Sequence, residues 1–245
     1  MSGTNRRVAL VTGASRNIGR SIAVALAEDG FDLLVVARSS GEESERTVEE
    51  VEGLGRRALL LKADVRDQDA ILAGVDHARE ELGPVSVLVN NAAVRRERDF
   101  LDIDRMDWDE VVDVVLGGAF VCSQAVLPDM VEQGWGRIVN IAGVTGQTGA
   151  ARRAHVVTAK AGVLGLTKAL AHEYAASGIT VNAVSPGLID TVRDHVPEPH
   201  RGREVPVGRP GRIEEVTAAV RYLVGAGAAF VTGQTLNVNG GIHMG

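Results

Sequence analysis

The sequence predicts a doubly wound α/β fold, in which helices cover both faces of a parallel sheet. Short apolar runs rich in β-branched residues alternate along the chain with longer amphipathic stretches. The short runs are apolar almost without interruption, as strands are when both faces of a parallel sheet are covered. The 245 residues fit a single domain spanning 1–245, because α/β folds commonly reach about 250 residues undivided.

The predicted elements follow one another in βαβα order. The predicted strands are 8–12, 32–37, 58–61, 85–90, 136–141, 179–185 and 235–238. The predicted helices are 18–28, 42–54, 68–82, 108–133, 156–177 and 213–223. The segment 190–211 is rich in Pro, Arg and Gly and follows the carboxyl end of a strand, where open sheets bind ligands. We interpret this segment as a lid over the substrate, and an ordinary surface loop is the alternative.

Composition and charge exclude several classes of protein. Lys and Arg number 26 against 32 Asp and Glu, so the formal charge of −6 provides no basic field for nucleic acid or an anionic membrane. Cys122 is the single cysteine and cannot form an intrachain disulfide. Residues 1–7 lack the apolar core of a signal peptide, and no run approaches the roughly 18 apolar residues of a membrane span. We therefore expect a cytoplasmic protein, and no metal site is predicted.

A glycine-containing loop, TGASRNIG at 12–19, joins the first strand to the first helix. In this context Gly13 permits a tight turn, Gly19 permits close packing of helix and strand, and the free N–H groups of the helix face a pyrophosphate. Arg38 ends the second strand, where an acid would bind a ribose 2′-hydroxyl, and Arg16 adds a second cation. The sequence therefore favours NADP(H) over NAD(H). The alternative is that both arginines are merely solvated.

Further motifs follow the later strands. They are Asp64-Val65, Asn90-Asn91-Ala92, GRIVNI at 136–141, Lys160-Ala161-Gly162, NAVSPG at 182–187, Thr232-Gly233-Gln234-Thr235 and Gly240-Gly241. Together with the glycine loop, they make the chain similar to the short-chain dehydrogenase/reductase family over about residues 7–241, in particular to its 3-oxoacyl-carrier-protein reductase-like branch. Asn17 and Ala93 stand where that family usually has glycine.

The resemblance implies which residues would hold the cofactor. The glycine loop would contact the pyrophosphate, Asp64 and Val65 the adenine, Asn90 and Lys160 the nicotinamide ribose, and 186–191 the carboxamide. The expected cofactor-binding residues are Gly13, Ser15, Arg16, Asn17, Ile18, Gly19, Arg38, Asp64, Val65, Asn90, Ala92, Lys160, Pro186, Gly187, Ile189 and Thr191.

The catalytic positions that the resemblance implies are mostly substituted. Family members reduce a carbonyl with a Ser, a Tyr, a Lys four residues after the Tyr, and an Asn on an earlier helix. Lys160 is retained, but the Ser, Tyr and Asn positions hold Gly143, Val156 and Val115. The two tyrosines, at 174 and 222, both follow Lys160, so neither can replace the lost phenol. We therefore expect ordinary ketone reduction to be nearly abolished.

Several polar residues lie near these positions without a recognisable catalytic spacing. We interpret His155 as solvated or at an interface, because it points about 100° away from Val156 around the helix. Arg152 and Arg153 are either solvated or contacts for an anionic substrate or carrier. No role is predicted for Cys122 or Ser123. The remaining polar neighbours are Thr145, Gln147 and Thr158.

The favoured hypothesis is an NADP(H)-binding pseudoenzyme, the non-catalytic subunit of a heteromeric ketoreductase or dehydrogenase, as in two-component systems of specialised metabolism. Its partner would be a second copy or a catalytically competent paralogue, bound through helices 108–133 and 156–177. The second of these is apolar all round, and such a helix needs cover on every side. The ligand would be a small-molecule or carrier-bound carbonyl compound. The alternatives are an atypical NADPH-dependent ketoreductase, a cyclase, lyase or isomerase, and a sensor of NADP occupancy.

Overall fold

The computed structural model describes residues 7–38, 41–192 and 204–245. The described strands are β1 Val8–Thr12, β2 Asp32–Ala37, β3 Ala58–Lys62, β4 Val85–Asn90, β5 Gly136–Ile141, β6 Ile179–Pro186 and β7 Thr235–Val238. They form one sheet in the order β3-β2-β1-β4-β5-β6-β7, and each neighbouring pair is parallel. The order reverses beside β1, so the carboxyl ends of β1 and β4 border a crevice of the kind in which such sheets bind ligands. The predicted doubly wound fold is confirmed.

Helices cover both faces of this sheet. They are α1 Asn17–Glu28, α2 Glu42–Gly53, α3 Gln68–Glu81, α4 Arg105–Val112, α5 Gly118–Gln133, α6 Thr145–Thr148, α7 Ala154–Tyr174 and α8 Ile213–Val224. Short 3₁₀ turns lie at Phe100–Asp102, Ala175–Ser177 and Ala226–Ala228. The single turn α6 is too short to give a periodic pattern, and the sequence did not predict it.

The predicted helix 108–133 differs from the structure in its start and its continuity. It begins earlier, at α4, because the carboxylate of Asp104 accepts a hydrogen bond of 2.7 Å from the backbone N–H of Asp107 and caps the first turn. A π-helical turn, Asp113–Gly117, then separates α4 from α5. The predicted helix 156–177 likewise begins earlier and ends before the final 3₁₀ turn.

Three apolar clusters hold the layers together. Alternate residues of β1 enter opposite clusters, with Val8 and Leu10 on one face of the sheet and Ala9 and Val11 on the other. The third cluster lies away from the sheet, where α7 packs against α4, the π turn and the start of α5. Its buried members are Val111, Val115, Ala119, Val156, Ala159 and Val163. We call this group the valine cluster.

The stretch Arg105–Gln133 is long and apolar enough to cross a membrane by length and composition alone. However, 56% of its most apolar window is buried inside the fold. Residues such as Cys122 and Val126 pack in the main core beneath the sheet. A core helix meets the same criteria, and we assign the stretch to the core.

The predicted lid, 190–211, lies partly outside the described residues, at 193–203. Its two ends meet. The N–H of Asp190 donates a hydrogen bond of 2.8 Å to the carbonyl of Gly211, and the N–H of Gly211 donates one of 2.9 Å to Leu188. The segment therefore leaves and rejoins the structure at one point beside the end of β6.

Candidate functional site

A cleft of about 990 Å³ lies at the carboxyl ends of β1 to β4. Its wall includes the glycine loop, the ends of β2 and β3, and the segment that follows β4. This is the crevice beside the point where the strand order reverses. The cleft therefore lies where the glycine loop predicts a dinucleotide.

The two glycines of the loop are required by their surroundings. Gly13 has a φ of +62° and donates a hydrogen bond of 2.8 Å to the carbonyl of Val36, which ties the turn to β2. A Cβ on Gly19 would lie 2.2 Å from the carbonyl oxygen of Gly13, so any side chain there would displace backbone. Asn17 has a φ of +49°, a conformation that Asn tolerates better than most residues. The substitution of the usual glycine is therefore compatible with the loop.

The first turn of α1 opens onto the cleft with its backbone donors uncapped. The side chain at the N-cap position, Arg16, makes no capping hydrogen bond, and the first turn carries no acidic residue. The partial positive charge of this helix end therefore remains available to a phosphate. Asn17 also reaches the segment after β6, accepting a hydrogen bond of 3.1 Å from the N–H of Val192 and donating one of 3.4 Å to its carbonyl.

The β2 and β3 side of the cleft carries the groups expected at an adenosine phosphate. The side chain of Arg38 is 65% exposed, and its guanidinium lies 3.9 Å from the carboxylate of Glu110. Asp64 accepts two hydrogen bonds from the guanidinium of Arg66, and this pair holds the pKa of Asp64 below its usual range. This side of the cleft therefore carries the cation Arg38, and the carboxylate of Asp64 is already paired with Arg66.

The turn after β4 is fastened to the glycine loop. The hydroxyl of Thr12 accepts hydrogen bonds of 2.9 and 3.0 Å from the backbone N–H groups of Asn91 and Ala92. The side-chain amide of Asn91 donates bonds of 3.0 Å to the carbonyls of Thr12 and Gly13. Loop and turn therefore form one rigid edge of the cleft.

The structure brings most of the expected cofactor-binding residues together. Those that line the cleft are Gly13, Ser15, Arg16, Asn17, Ile18, Gly19, Arg38, Asp64, Val65, Ala92 and Thr191. Those that do not line it are Asn90, Lys160, Pro186, Gly187 and Ile189. The structure thus brings the first group of residues together around one cleft, and the binding of a cofactor by either group stays a prediction.

Lys160 projects from α7 into the interior. Its Nζ donates a hydrogen bond of 2.6 Å to the carbonyl oxygen of Ile141 at the end of β5. Burial, assisted by the positive charge of Arg95, lowers the pKa of Lys160 to about 7. The amine is therefore only partly protonated near neutral pH.

The three substituted positions differ in their surroundings. A Cβ added to Gly143 would have no heavy atom within 4 Å, so this position is open. Val115 and Val156 are each 4% exposed and both belong to the valine cluster. Aliphatic packing therefore occupies the places where a hydrogen-bonded relay would need an amide and a phenol.

Comparison with known proteins places the chain in a family. It matches the model of the short chain dehydrogenases over residues 7–200. It is 41% identical over 241 residues to the 3-oxoacyl-[acyl-carrier-protein] reductase FabG of Staphylococcus aureus, covering 96% of this chain and 98% of that protein. It is 40% identical over 244 residues to nodulation protein G of Azospirillum brasilense, covering 98% and 99%. A crystal structure from Sinorhizobium meliloti 1021, assigned as a short-chain alcohol dehydrogenase, matches with a TM-score of 0.91 at 39% identity, covering 98% of this chain and 97% of that chain.

The chain belongs to the short-chain dehydrogenase/reductase family. Its similarity to the reductase extends across nearly all of both chains, which makes it a 3-oxoacyl-carrier-protein reductase-like member. The resemblance drawn from the motifs is confirmed.

A buried amide chain beneath the family's catalytic positions was not foreseen from the sequence. The amide of Asn90 donates hydrogen bonds of 2.8 Å to Asn140 and 3.4 Å to the hydroxyl of Ser123. Asn140 in turn donates one of 2.9 Å to Thr167. Ser123 thus has a structural contact. The position of Asn90 at the end of a strand was the only signal in the sequence that pointed to these hydrogen bonds.

The interpretation of His155 as solvated or at an interface is wrong for this chain. The residue is 0% exposed, and neither ring nitrogen has a hydrogen-bond partner. Because α7 begins at Ala154, His155 lies in the first turn and is buried near Asp107 of α4. Burial lowers the pKa of His155, and the carboxylate of Asp107 opposes this effect. His155 does not line the cleft.

The solvated interpretation of Arg153 is also wrong. Its side chain is 7% exposed, it forms an ion pair with Glu97, and it lines the cleft. Arg152 also lines the cleft but is exposed, and it pairs with Asp99 at 3.2 Å. Both arginines therefore lie at the cleft.

The other polar candidates have structural roles or none. The amide of Gln147 donates hydrogen bonds of 2.8 Å to Ser185 and 2.7 Å to Asn237. Thr145 is buried and Thr158 is exposed. Burial raises the pKa of the Cys122 thiol to about 12, which leaves no thiolate to act as a nucleophile. Within the described residues, no group of three His, Cys, Asp or Glu side chains is placed to hold a metal ion.

Proposed function

We propose that this protein binds NADP(H) without reducing ketones by itself and acts as the non-catalytic subunit of a heteromeric ketoreductase or dehydrogenase. The observation that carries the proposal is the state of the catalytic positions. Gly143 offers no side chain, and Val115 and Val156 are packed in the valine cluster. The cleft, in contrast, keeps Gly13 and Gly19, the uncapped first turn of α1, and the cations Arg16 and Arg38.

The residues present fit the proposed cofactor. The backbone of the loop from Gly13 to Gly19 would hold the pyrophosphate, and Arg16 and Arg38 would pair with the 2′-phosphate. Asp64 and Val65 would border the adenine. A bound nicotinamide supplies hydride chemistry to family members, but only a protein that also stabilises the developing alkoxide can use it.

The chain's own groups do not provide that stabilisation. An alkoxide needs a hydrogen-bond donor beside it and a proton source of suitable pKa. Loss of one such donor typically costs about 10² to 10³ in rate, and loss of a general acid about 10² to 10⁴. Lys160 is occupied by the carbonyl of Ile141 and has no phenol whose pKa it would lower. Lys160 would therefore orient the end of β5. The resemblance to the family also implies that it binds the ribose of the cofactor.

The proposed partner surface is formed by α5 and α7. On α7, Ala161, Gly165 and Lys168 are exposed, and on α5 the ring of Phe120 is exposed. A second copy or an active paralogue covering this surface would complete the assembly. We place that assembly in the cytoplasm.

The test uses the purified chain alone and mixed with a catalytically competent paralogue. Fluorescence titration should show NADPH binding, and reduction of ethyl acetoacetate by the chain alone should stay at background. A turnover number of about 1 to 10³ s⁻¹ for the chain alone would overturn the non-catalytic assignment in favour of an atypical ketoreductase. Conversion of a ligand without NADPH consumption would favour the cyclase, lyase or isomerase alternative.

A further inference from the structure

His155 is a buried ionisable side chain that the proposed function does not use. It is fully buried in the first turn of α7, and neither ring nitrogen has a hydrogen-bond partner among the described residues. Buried polar groups nearly always find such partners, so an imidazole with two unpaired nitrogens is unusual. The surroundings of His155 indicate what the ring could control.

The residues 92–98, which we call the wall segment, follow β4 and form part of the cleft wall. The members that line the cleft are Ala92, Ala93, Val94, Arg95 and Glu97. Two other arginines of the segment meet one carboxylate of α4. Nη1 of Arg96 lies 3.3 Å from Oδ1 of Asp107, and Nε of Arg98 lies 2.6 Å from Oδ2. Asp107 therefore fastens the wall segment to α4.

Each carboxylate in the ion pairs around His155 is already engaged by an arginine. The pairs are Asp107 with Arg96 and Arg98, Glu110 with Arg96, and Glu97 with Arg153. A positive charge on His155 would therefore have to take a carboxylate from an arginine. Asp107 is the carboxylate that favours the protonated ring, whereas Arg96 and Arg153 oppose it.

The other ionisable groups of the elements packed against the start of α7 are engaged or exposed. Arg105 and Asp109 of α4 pair with each other at 2.7 Å. Asp113 of the π turn is exposed, and α6 has no ionisable side chain. The positive end of the α7 dipole also disfavours a charged ring in the first turn. The protonation of His155 is therefore a contest between Asp107 and the surrounding positive charge.

We propose that His155 is an acid-operated latch: once protonated, it competes with Arg96 and Arg98 for Asp107, and the wall segment loosens. Burial is the main cause that lowers the pKa of His155 while the segment is closed. In the open state the ring is solvated and has its ordinary pKa of about 6.5. Between these two values the open state binds more protons, so falling pH shifts the equilibrium toward it. Neutral and alkaline pH keep the cleft wall closed.

The test is hydrogen exchange of the Arg98 amide in the full chain between pH 7.5 and pH 5. This N–H donates a hydrogen bond of 2.9 Å to the carbonyl of Arg152, so it reports whether the wall segment is held against the loop before α7. Protection factors are compared, because they remove the pH dependence of the exchange chemistry itself. We expect the protection of Arg98 to fall at least about fivefold toward pH 5, in parallel with the protonation of His155 measured by its ring nitrogen shifts. The amide of Gly13, bonded to the carbonyl of Val36, should keep its protection.

Variants of His155 and Asp107 separate the latch from a general effect of acid. His155→Phe keeps a ring but cannot be protonated, so its Arg98 protection should not change with pH. His155→Gln should behave in the same way, and it covers the case in which Phe disturbs the packing. The matched control is His77→Phe, because His77 is exposed on α3, and it should respond to acid as the native chain does. Asp107→Asn removes the fastening point, so its Arg98 protection at pH 7.5 should already be as low as that of the native chain at pH 5.

Three results would overturn the proposal. The first is native protection of Arg98 that stays constant down to pH 5. The second is an acid response that persists in the His155 variants. The third is an Asp107→Asn variant that is as well protected as the native chain at pH 7.5. None of these measurements involves NADPH, so their outcome is independent of the proposed function.

Discussion

Arg38 follows β2 and lines the cleft, and its guanidinium makes a long contact of 3.9 Å with Glu110. A 2′-phosphate carries more negative charge than a carboxylate and would compete for this cation. We predict that the native chain binds NADPH more tightly than NADH. Arg38→Asp should reverse the preference, because the new carboxylate repels the phosphate and accepts hydrogen bonds from a ribose 2′-hydroxyl. Fluorescence titration of the native chain and the variant with NADPH and with NADH measures the two affinities.

The control for that experiment is Arg46→Asp. Arg46 is an exposed arginine on α2 that pairs with Glu50, so it makes the same charge change on a neighbouring element away from the cleft wall. Equal affinity of the native chain for NADPH and NADH would contradict the prediction.

Lys160 links a single buried amine to the pH dependence of stability. Its pKa is about 7 in the folded protein and about 10.4 in an unfolded chain. Between these values the unfolded state binds more protons, so the free energy of unfolding rises with pH. Burial of the amine therefore lowers the free energy of unfolding at pH 7. This loss of stability disappears at higher pH, where the unfolded chain is also deprotonated. We predict that the stability of the native chain minus that of Lys160→Met increases from pH 7 to pH 10, by up to about 1.4 kcal/mol per pH unit.

Urea unfolding of the cofactor-free proteins at several pH values gives this difference. Lys168→Met is the control, since Lys168 lies on the exposed face of the same helix. The change of the stability difference with pH should be larger for Lys160→Met than for this control, because the amine of Lys160 is buried on folding and Lys168 is exposed. A flat difference for Lys160→Met would show that the amine is better solvated than its position indicates.

At the scale of elements, the valine cluster joins α7 to α4 and the start of α5. Restoring the family's relay places Ser at Gly143, Tyr at Val156 and Asn at Val115. The open space at Gly143 accepts Ser, and we predict a stability change within about 0.5 kcal/mol. Tyr in a packed cluster and a buried amide at position 115 should each cost about 1–3 kcal/mol.

Urea unfolding of the three single variants and the triple variant tests this asymmetry. If the valine variants are as stable as Gly143→Ser, the cluster is loosely packed. The triple variant should also gain NADPH-dependent reduction of ethyl acetoacetate, because Lys160 still follows position 156 by one helical turn. Gain of activity would indicate that the geometry of the site survives and that only its chemistry is lost.

The elements that local pattern determines were predicted well. The strands β1, β2, β4, β5 and β6 are buried along their whole length, and the two edge strands β3 and β7 are only partly buried. Apolar runs mark these strands in the sequence, and β1, β2, β4, β5 and β7 have the predicted bounds. The position of the glycine loop at the cleft could be predicted for the same reason, since the loop is a local motif.

Features that depend on distant contacts were not predictable. The π turn Asp113–Gly117 lies inside one continuous apolar pattern and leaves no separate signal. The burial of Arg153 depends on Glu97, which is 56 residues earlier in the chain. The burial of His155 depends on where α7 begins and on its packing against α4. A charged residue in a loop therefore looks solvated until its partner is located.

At the scale of the whole molecule, large apolar side chains remain exposed in separate regions. Phe100, Leu101 and Met106 lie around the start of α4, and Phe230 lies before β7. Extended exposed apolar surface is uncommon on monomeric proteins and typical of interfaces. Among the large exposed apolar side chains, Phe120 and Val131 lie on α5, which is part of the proposed partner surface.

The structure corrects the place at which that assembly should be tested. Val163 lies on the predicted helix 156–177, through which the sequence predicts assembly, but it is 2% exposed and belongs to the valine cluster. An arginine there would disrupt the core of one subunit. Gly165, on the exposed face of α7, is the better position, because a Cβ there has no heavy atom within 4 Å.

We predict that the native chain forms a dimer or a dimer of dimers, alone or with its paralogue, and that Gly165→Arg dissociates it. A substituted position in a two-fold interface occurs twice, so the buried charge and the lost contacts also occur twice. Light scattering coupled to gel filtration at micromolar concentration measures the mass. Gly53→Arg is the matched control, since Gly53 is also an exposed helical glycine with no heavy atom within 4 Å of an added Cβ, but it lies on α2. A native chain that stays monomeric with and without the paralogue would contradict the proposed subunit role. It would favour a protein that binds its ligand independently.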